Sequence, residues 1–544
     1  MASVASRARS LPRPNPSLLT STPVIVAVVA GLLLISLYMR TRALGASLWM
    51  DEGLSIGIAS QPFFDIPGVL KQDGAPPLYY MMLHVWMQVF GNGPSETQGL
   101  SVAISLIAVP GGLWAGWTLF NRRAGLICAA LAAFNPFLTI YAQETRMYSL
   151  MVVLSLLTCA AFLHVYVYGH RKYLPLFAVL VAAILYTHSW GIFVTAGLIV
   201  SLIPPLLATD DRRAFFKDVL IGFTGALILF LPWLPTLVYQ AQHTGAPWLN
   251  SPRFGAPIQI SKSLLGGGTV TVALILAAGS GLAAVLAART PSRGTGGTGS
   301  EYGAPASRDR TAVYTALSIG VATLAVAWLF SQVTPAWTTR YLGVALGPIF
   351  LLASFGLSRA GKLGLVALVI ILGIWAVPKT KNLENKSNVS DLAAQANPKL
   401  KKGDLVVTLQ PEQQPLVNYN TKPGLIHATQ LGRPATFGVM DWRDAYDKLK
   451  DATPAKNLKP LTDRLPVGSH VLLVHPVTSN IGEWDAPWTQ LVRRRSAQWG
   501  QAMELDKRFR RDEAVPSFYR RARRIGVRGV LYTKISRTAP RDER

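Results

Sequence analysis

Residues 18–38 read LLTSTPVIVAVVAGLLLISLY, and the chain runs on through MRTRALGAS into LWMDEGLSIG at 48–57. The first stretch carries no charge. An α-helix rises 1.5 Å per residue, so about 20 such residues match a bilayer core about 30 Å thick. It therefore predicts a membrane-spanning helix, and it sets the class of everything that follows. The preceding segment 1–17 is short, basic and rich in Pro and Ser, with Arg7, Arg9 and Arg13. The apolar run is too long for a signal-peptide core, and no small-residue cleavage site follows it. The expected arrangement is a cytoplasmic tail (1–17), a retained first helix, and a first outer loop over 40–76.

Working outward, apolar runs of similar length recur as far as residue 377, and the charges crowd the last third. Half of the 544 residues are hydrophobic and 15% are charged, against about 25% charged in a soluble protein. The pattern predicts a polytopic α-helical membrane protein with about 11–12 transmembrane helices over 18–377. Basic loops at Arg122–Arg123, His170–Lys172, 210–218 and Arg359–Lys362, with the Gly/Ser-rich linker 289–310, belong in the cytoplasm by the positive-inside rule. The first loop, 141–148, the turn at His188, 240–262 and 331–340 then fall outside. Residues 77–90 and 100–119 are both apolar yet together must cross once, so 77–90 reads as a partial or interfacial helix unless one sidedness assignment is wrong. A last helix over 363–377 exits outward.

The remainder mixes β-branched runs (DLVVTL 404–409, HVLLVHPV 470–477, VRGVLYTK 527–534) with polar helical stretches such as 440–451. That alternation predicts a soluble α/β domain, extracytoplasmic, over 378–536, with a disordered tail at 537–544. Net charge is +25, of which +13 comes from Val377 onward. This favours anionic lipid headgroups or acidic polymers. No nucleic-acid module is visible, so nucleic acid is not an expected partner. Cys128 and Cys159 both lie in apolar runs, which excludes a disulfide framework in the tail. The tripeptide NVS at 388–390 fits the N-glycosylation pattern.

The residues with chemistry cluster on the outer side. Asp51 and Glu52 open the first loop beside Trp49; paired carboxylates there serve as a general base, bind a cation, or are merely solvated. In YAQETRMY (141–148), Glu144 and Arg146 sit at a membrane boundary, where ionisable groups line a cavity or pair to tether helices. His188 in YTHSWG and His84 on 77–90 are ordinary packing histidines on position alone. Arg340, beside Tyr341, can grip a lipid phosphate or simply snorkel, and Lys71 can do the former or stay solvated. No P-loop, GxGxxG, GxSxG or HExxH motif competes.

These pieces resemble the GT-C superfamily of polytopic glycosyltransferases, and in particular family-39-type bacterial relatives of the protein O-mannosyltransferases. The residues that carry the resemblance are WMDEG 49–53, DGAPPLYYMMLHVW 73–86, NRRAG 121–125, NPFLTIYAQETRMYSL 135–150, YTHSWG 186–191, LPWLP 231–235 and RYL 340–342, spread over residues 19–375. The resemblance implies transfer of a sugar from a polyprenyl-phosphate carrier to an outer-face acceptor with inversion, Asp51 (with Glu52) being catalytic. It implies that Lys71, Asp73, His84, Glu144, Arg146, Tyr148, His188, Arg340 and Tyr341 contact substrate. The expected partners are the lipid-linked sugar, membrane lipids and a cell-envelope glycan, lipid or protein acceptor, in the inner (plasma) membrane. A divalent cation is left open as cofactor, with no metal ligands assigned. Relatives often have His before the paired prolines, where this chain has Ala75, which leaves the sugar open between mannose, arabinose and others. A transporter of lipid-linked saccharides and a non-catalytic envelope-assembly protein are the competing classes; transporters often carry inverted repeats, and none is seen.

Overall fold

A computed structural model describes residues 22–288, 305–377, 383–477, 485–516 and 525–538. The tail 1–17, residues 289–304 of the linker and 539–544 of the C-terminal tail lie outside the described residues.

Among the described residues, eight helical stretches are long and apolar enough to cross a membrane: Thr22–Thr41, Pro94–Leu119, Tyr148–Val167, Gly191–Ala208, Arg212–His243, Gly268–Ala287, Ser307–Val333 and Tyr341–Arg359. A shorter apolar helix, Gly361–Ala376, follows them. The expected 11–12 segments also take in shorter apolar helices. Leu78–Phe90 and Arg122–Phe134 have 13 residues each and Leu174–Thr187 has 14, about 20 Å of helix against a core of about 30 Å. Leu78–Phe90 is the segment whose crossing was in question.

The bundle is built around Tyr148–Val167, which is almost wholly buried, while Thr22–Thr41 stays mostly exposed at the periphery. Peripheral helices present Leu34, Ile275, Leu276 and Val369 outward, the side that acyl chains cover. Association inside lipid depends on close backbone approach rather than on a hydrophobic drive. Gly281 and Gly356 provide it: a Cβ on either would collide with the backbone of the opposite helix. Arg40, at the end of the first helix, is fully buried, and its guanidinium donates to Ser105 Oγ at 3.0 Å and to the Ala132 carbonyl at 2.6 Å.

The C-terminal sheet has five strands: β1 (Leu405–Thr408), β2 (Ile426–Thr429), β3 (His470–Val477), β4 (Phe509–Val515) and β5 (Gly526–Lys534). Their order is β2-β1-β3-β5-β4. β1 pairs in parallel with both β2 and β3, and β5 runs antiparallel to β3 and β4. Trp488, Trp499 and Leu473 fill the core on one face, while Leu392, Leu416 and Leu472 fill the other. Asn388 is buried, and its side chain both donates to and accepts from the backbone of Val527 at 2.8 Å. The NVS tripeptide is therefore a structural brace.

This sheet domain is seated on the membrane domain. The Trp442 amide donates to the Gln72 carbonyl at 2.7 Å, and the Asp444 amide to the His243 carbonyl at 2.8 Å. The Gln72 side chain reaches Thr436 Oγ1 at 3.0 Å. The helix Met50–Ala59 lies within this seam: Gly53 abuts Leu416, and Gly57 abuts Gly438.

Candidate active site

The first-loop helix Met50–Ala59 begins with a one-sided cap. Trp49 is the N-cap, and Glu52, three residues on, accepts its backbone N–H at 3.1 Å. An acidic residue is favoured at a helix N-terminus, where free N–H groups carry partial positive charge. The cap turns Asp51 and Glu52 to different sides, and their surroundings diverge.

Asp51 faces two arginines. Arg340 Nη1 lies 2.9 Å from Asp51 Oδ2, and the guanidinium is flanked by the Trp49 ring at 5.5 Å and the Tyr341 ring at 5.6 Å. Arg146 Nη1 donates to Ser55 Oγ at 3.1 Å and to the Asp51 carbonyl at 3.3 Å, with Tyr80 Oη at 3.5 Å. Its guanidinium lies 5.7 Å from the Tyr148 ring centre. Tyr341 packs against His188 at 4.4 Å and Tyr148 at 6.2 Å. His188 Nδ1 accepts the Trp190 amide at 3.1 Å. Burial, with the charges of Arg146 and Arg340, lowers the His188 pKa to about 3. The ring is thus neutral, with its proton on Nε2.

Asp73, half-buried at the end of helix Ile66–Asp73, shares this field. Burial raises its pKa to about 6; Arg146 opposes that and Asp51 adds to it. A single patch therefore gathers Asp51, Arg146, Tyr148, His188, Arg340 and Tyr341 from four separate segments, with Asp73 at its edge.

Glu52 does something else. It is completely buried. Lys386 Nζ, itself buried, lies 2.8 Å from Oε2 and 3.0 Å from Oε1. The Thr145 amide donates to Oε1 at 2.9 Å, and Gln98 Nε2 does so at 3.2 Å. Both oxygens are engaged, and Glu52 ties the loop helix to 141–148 and to Lys386. Glu144 is fully buried, and its carbonyl accepts the Arg146 amide at 2.7 Å. His84 Nδ1 lies 2.8 Å from the Ala59 carbonyl at the far end of the loop helix and stacks near Phe63, away from Asp51. Lys71 is exposed. The sequence reading missed Ser55, Tyr80 and Lys386. Tyr80 stood within a quoted motif, whereas Lys386 follows Glu52 by 334 positions and no local pattern links them.

No three His, Cys, Asp or Glu side chains converge on a potential metal site among the described residues, and Arg340 already occupies Asp51 Oδ2. These residues do not fit a resident divalent cation.

The fold is the GT-C fold. The structure of ArnT from Cupriavidus metallidurans bound to undecaprenyl phosphate superposes with a TM-score of 0.59 at 14% identity, covering 96% of this chain and 100% of that one. The apo state of the same protein gives 0.57 at 13% identity, with 96% and 99% covered. The mycobacterial arabinofuranosyltransferase AftD (mutant R1389S) gives 0.55 at 13% identity, over 95% of this chain and 42% of that one. No protein-family model and no curated protein matches the sequence.

Proposed function

We propose that this chain is a family-39-type membrane glycosyltransferase that moves a sugar, mannose first among the candidates, from polyprenyl phosphate to an acceptor hydroxyl. The reaction takes place at the outer face of the plasma membrane, where the domain 378–536 also resides. The observation that carries this reading is the Asp51 carboxylate held 2.9 Å from Arg340, with Arg146 donating to the Asp51 carbonyl at 3.3 Å. The undecaprenyl phosphate bound to ArnT supports a lipid-phosphate donor on a shared fold.

Asp51 accepts the proton of the acceptor hydroxyl as its oxygen attacks the anomeric carbon. The bond from that carbon to the phosphate oxygen breaks, and the electron pair leaves with the phosphate, giving inversion. The developing charge falls to Arg340 and Arg146, fixed donors in an enclosed site. The pairing of Arg340 with Asp51 has a consequence: a donor phosphate draws the guanidinium to itself and frees the carboxylate to act as base. Neutral His188 supplies an Nε2–H donor at the same patch. Glu52, Glu144 and His84 position rather than react.

The test is transfer by lipid-reconstituted protein given polyprenyl-phosphate mannose, then pentose and other lipid-linked donors, with an envelope extract as acceptor. Asp51→Asn is expected to lower the rate by about 10²–10⁴-fold, the usual contribution of a general base. Full activity in that variant would overturn the base assignment. Failure of every donor would overturn the transferase reading.

A further inference from the structure

Asp51 has a second neighbourhood besides its arginines. β1 lies between β2 and β3; the chain leaves β1 toward β2 on one side and leaves β3 toward β4 on the other, so the carboxyl ends of β1 and β3 form a topological switch point. Crevices at such points are where open α/β sheets bind ligands. Here the switch point is turned toward the loop helix. Gln410, just past β1, brings Nε2 to 3.8 Å from Met50 Sδ, next to Asp51, and donates to Glu412 Oε1 at 2.9 Å. Trp488 Nε1 donates to the same oxygen at 3.1 Å.

The remaining oxygens here have no protein partner among the described residues: Glu412 Oε2, Gln410 Oε1, Thr408 Oγ1, Gln413 Oε1 and Gln430 Oε1, all on nine-tenths-buried side chains. Leaving such groups unpaired costs about 1–3 kcal/mol each. The carboxyl and amide oxygens accept hydrogen bonds, the Thr408 hydroxyl can also donate, and Gln414 Nε2, on a side chain equally buried, is a donor without a partner in the same stretch, so what satisfies them must both donate and accept, as hydroxyls do. Glu412 has only neutral donors, and burial, opposed by those donors and reinforced by Asp51, raises its pKa. An aromatic run leads outward: Trp488 packs on Trp442 at 5.2 Å, and Trp442 on partly exposed Trp248 at 4.3 Å. Flat aromatic faces beside carboxyl and amide oxygens suit a ring with apolar C–H faces and hydroxyl edges.

Resting on the transferase reading, we infer that the acceptor is a glycan of several rings, an outer one stacking at Trp248 and a terminal one held through its hydroxyls by Glu412 and Gln410, which present one of them to Asp51. Asp51 thus stands between a cationic donor side and an oxygen-rich acceptor side. The oxygens are enclosed against the loop helix, so binding requires the 408–414 loop to ease away from Met50.

The experiment is saturation-transfer NMR on the full-length protein in nanodiscs. The probes are the methyl glycosides of α-mannotriose and α-arabinofuranotriose and a Ser/Thr peptide, with undecaprenyl phosphate binding measured separately. Saturation of a glycoside by the wild type is expected, weakened about tenfold by isosteric Glu412→Gln and likewise by Trp248→Ala, with lipid-phosphate affinity unchanged. Trp248 is partly exposed, so its variant keeps the inference testable if Glu412→Gln unfolds. The inference is overturned if no glycoside is saturated, if both variants match the wild type, or if the peptide alone is saturated. Glycoside binding without transfer from any donor would overturn the transferase reading alone; transfer with unaltered glycoside binding in the variants would overturn this inference alone.

Discussion

Arg340 is the residue on which the electrostatics of the site turn. It lies against Asp51 and between two aromatic rings, so its planar guanidinium is held by stacking as well as by charge. Lysine keeps the charge and loses the fork and the stacking. Arg340→Ala is expected to lower the transfer rate by about 10²–10³-fold, the scale seen when a transition-state donor is removed. Arg340→Lys should recover only part of that, and kinetics at saturating donor distinguish the two. Asp73 gives a pH signature. Its pKa rises from the ordinary 3.8 to about 6 in the fold, chiefly through burial. Below pH 4 both folded and unfolded chains hold the proton, and burial carries no ionic penalty. Between pH 4 and 6 the unfolded chain ionises first, so stability falls, and above pH 6 the penalty is constant. Asp73→Asn should leave the unfolding temperature unchanged near pH 4 and raise it by about 1–2 °C at pH 7, a modest effect because the side chain is only partly buried.

At the scale of elements, the Glu52–Lys386 pair clamps the loop helix from two directions. Removing one member of a buried ion pair strands the other, at a cost of about 3–5 kcal/mol, whereas removing both costs far less. Lys386→Met should therefore destabilise the protein strongly in thermal unfolding, and Glu52→Gln with Lys386→Met should recover most of the loss. Independent effects that simply add would show that the clamp is not a unit. What the sequence made legible follows from the same physics. Long uncharged helices announce themselves because lipid demands a continuous apolar run, and β1, β3 and β5 do so through β-branched runs. β4 (FRRDEAV) was not legible: it is an edge strand, and edges carry charge that masks the strand pattern. β2 has four residues, too few for a period to show. Asp51, Arg146 and Arg340 were legible as charges at membrane boundaries, but the clamp at Glu52 was not, because nothing local distinguishes a clamped carboxylate from a free one beside it.

On the scale of the whole molecule, the question is whether the sheet domain is a passenger or part of the active site. Its seam with the membrane domain runs along the loop helix that carries Asp51, and Gly57 is its tightest point: a Cβ there would overlap the Gly438 carbonyl oxygen. Alanine is a better helix former than glycine by about 1 kcal/mol, so Gly57→Ala alone favours the helix while forcing the two domains apart. Gly68, in the next helix, has nothing within 4 Å of an added Cβ, and Gly68→Ala serves as the control with the same intrinsic gain. If docking of the sheet domain completes the site, Gly57→Ala should lower transfer at least tenfold, about 1.4 kcal/mol of lost positioning. It should also speed proteolysis of the Thr436–Asp444 seam while the membrane domain stays protected, and Gly68→Ala should do neither. Because the loop helix is itself intact or strengthened in the variant, loss of activity would have to come from the seam. Retained activity with an opened seam would make the sheet domain a tethered accessory to a catalytic bundle that is complete without it.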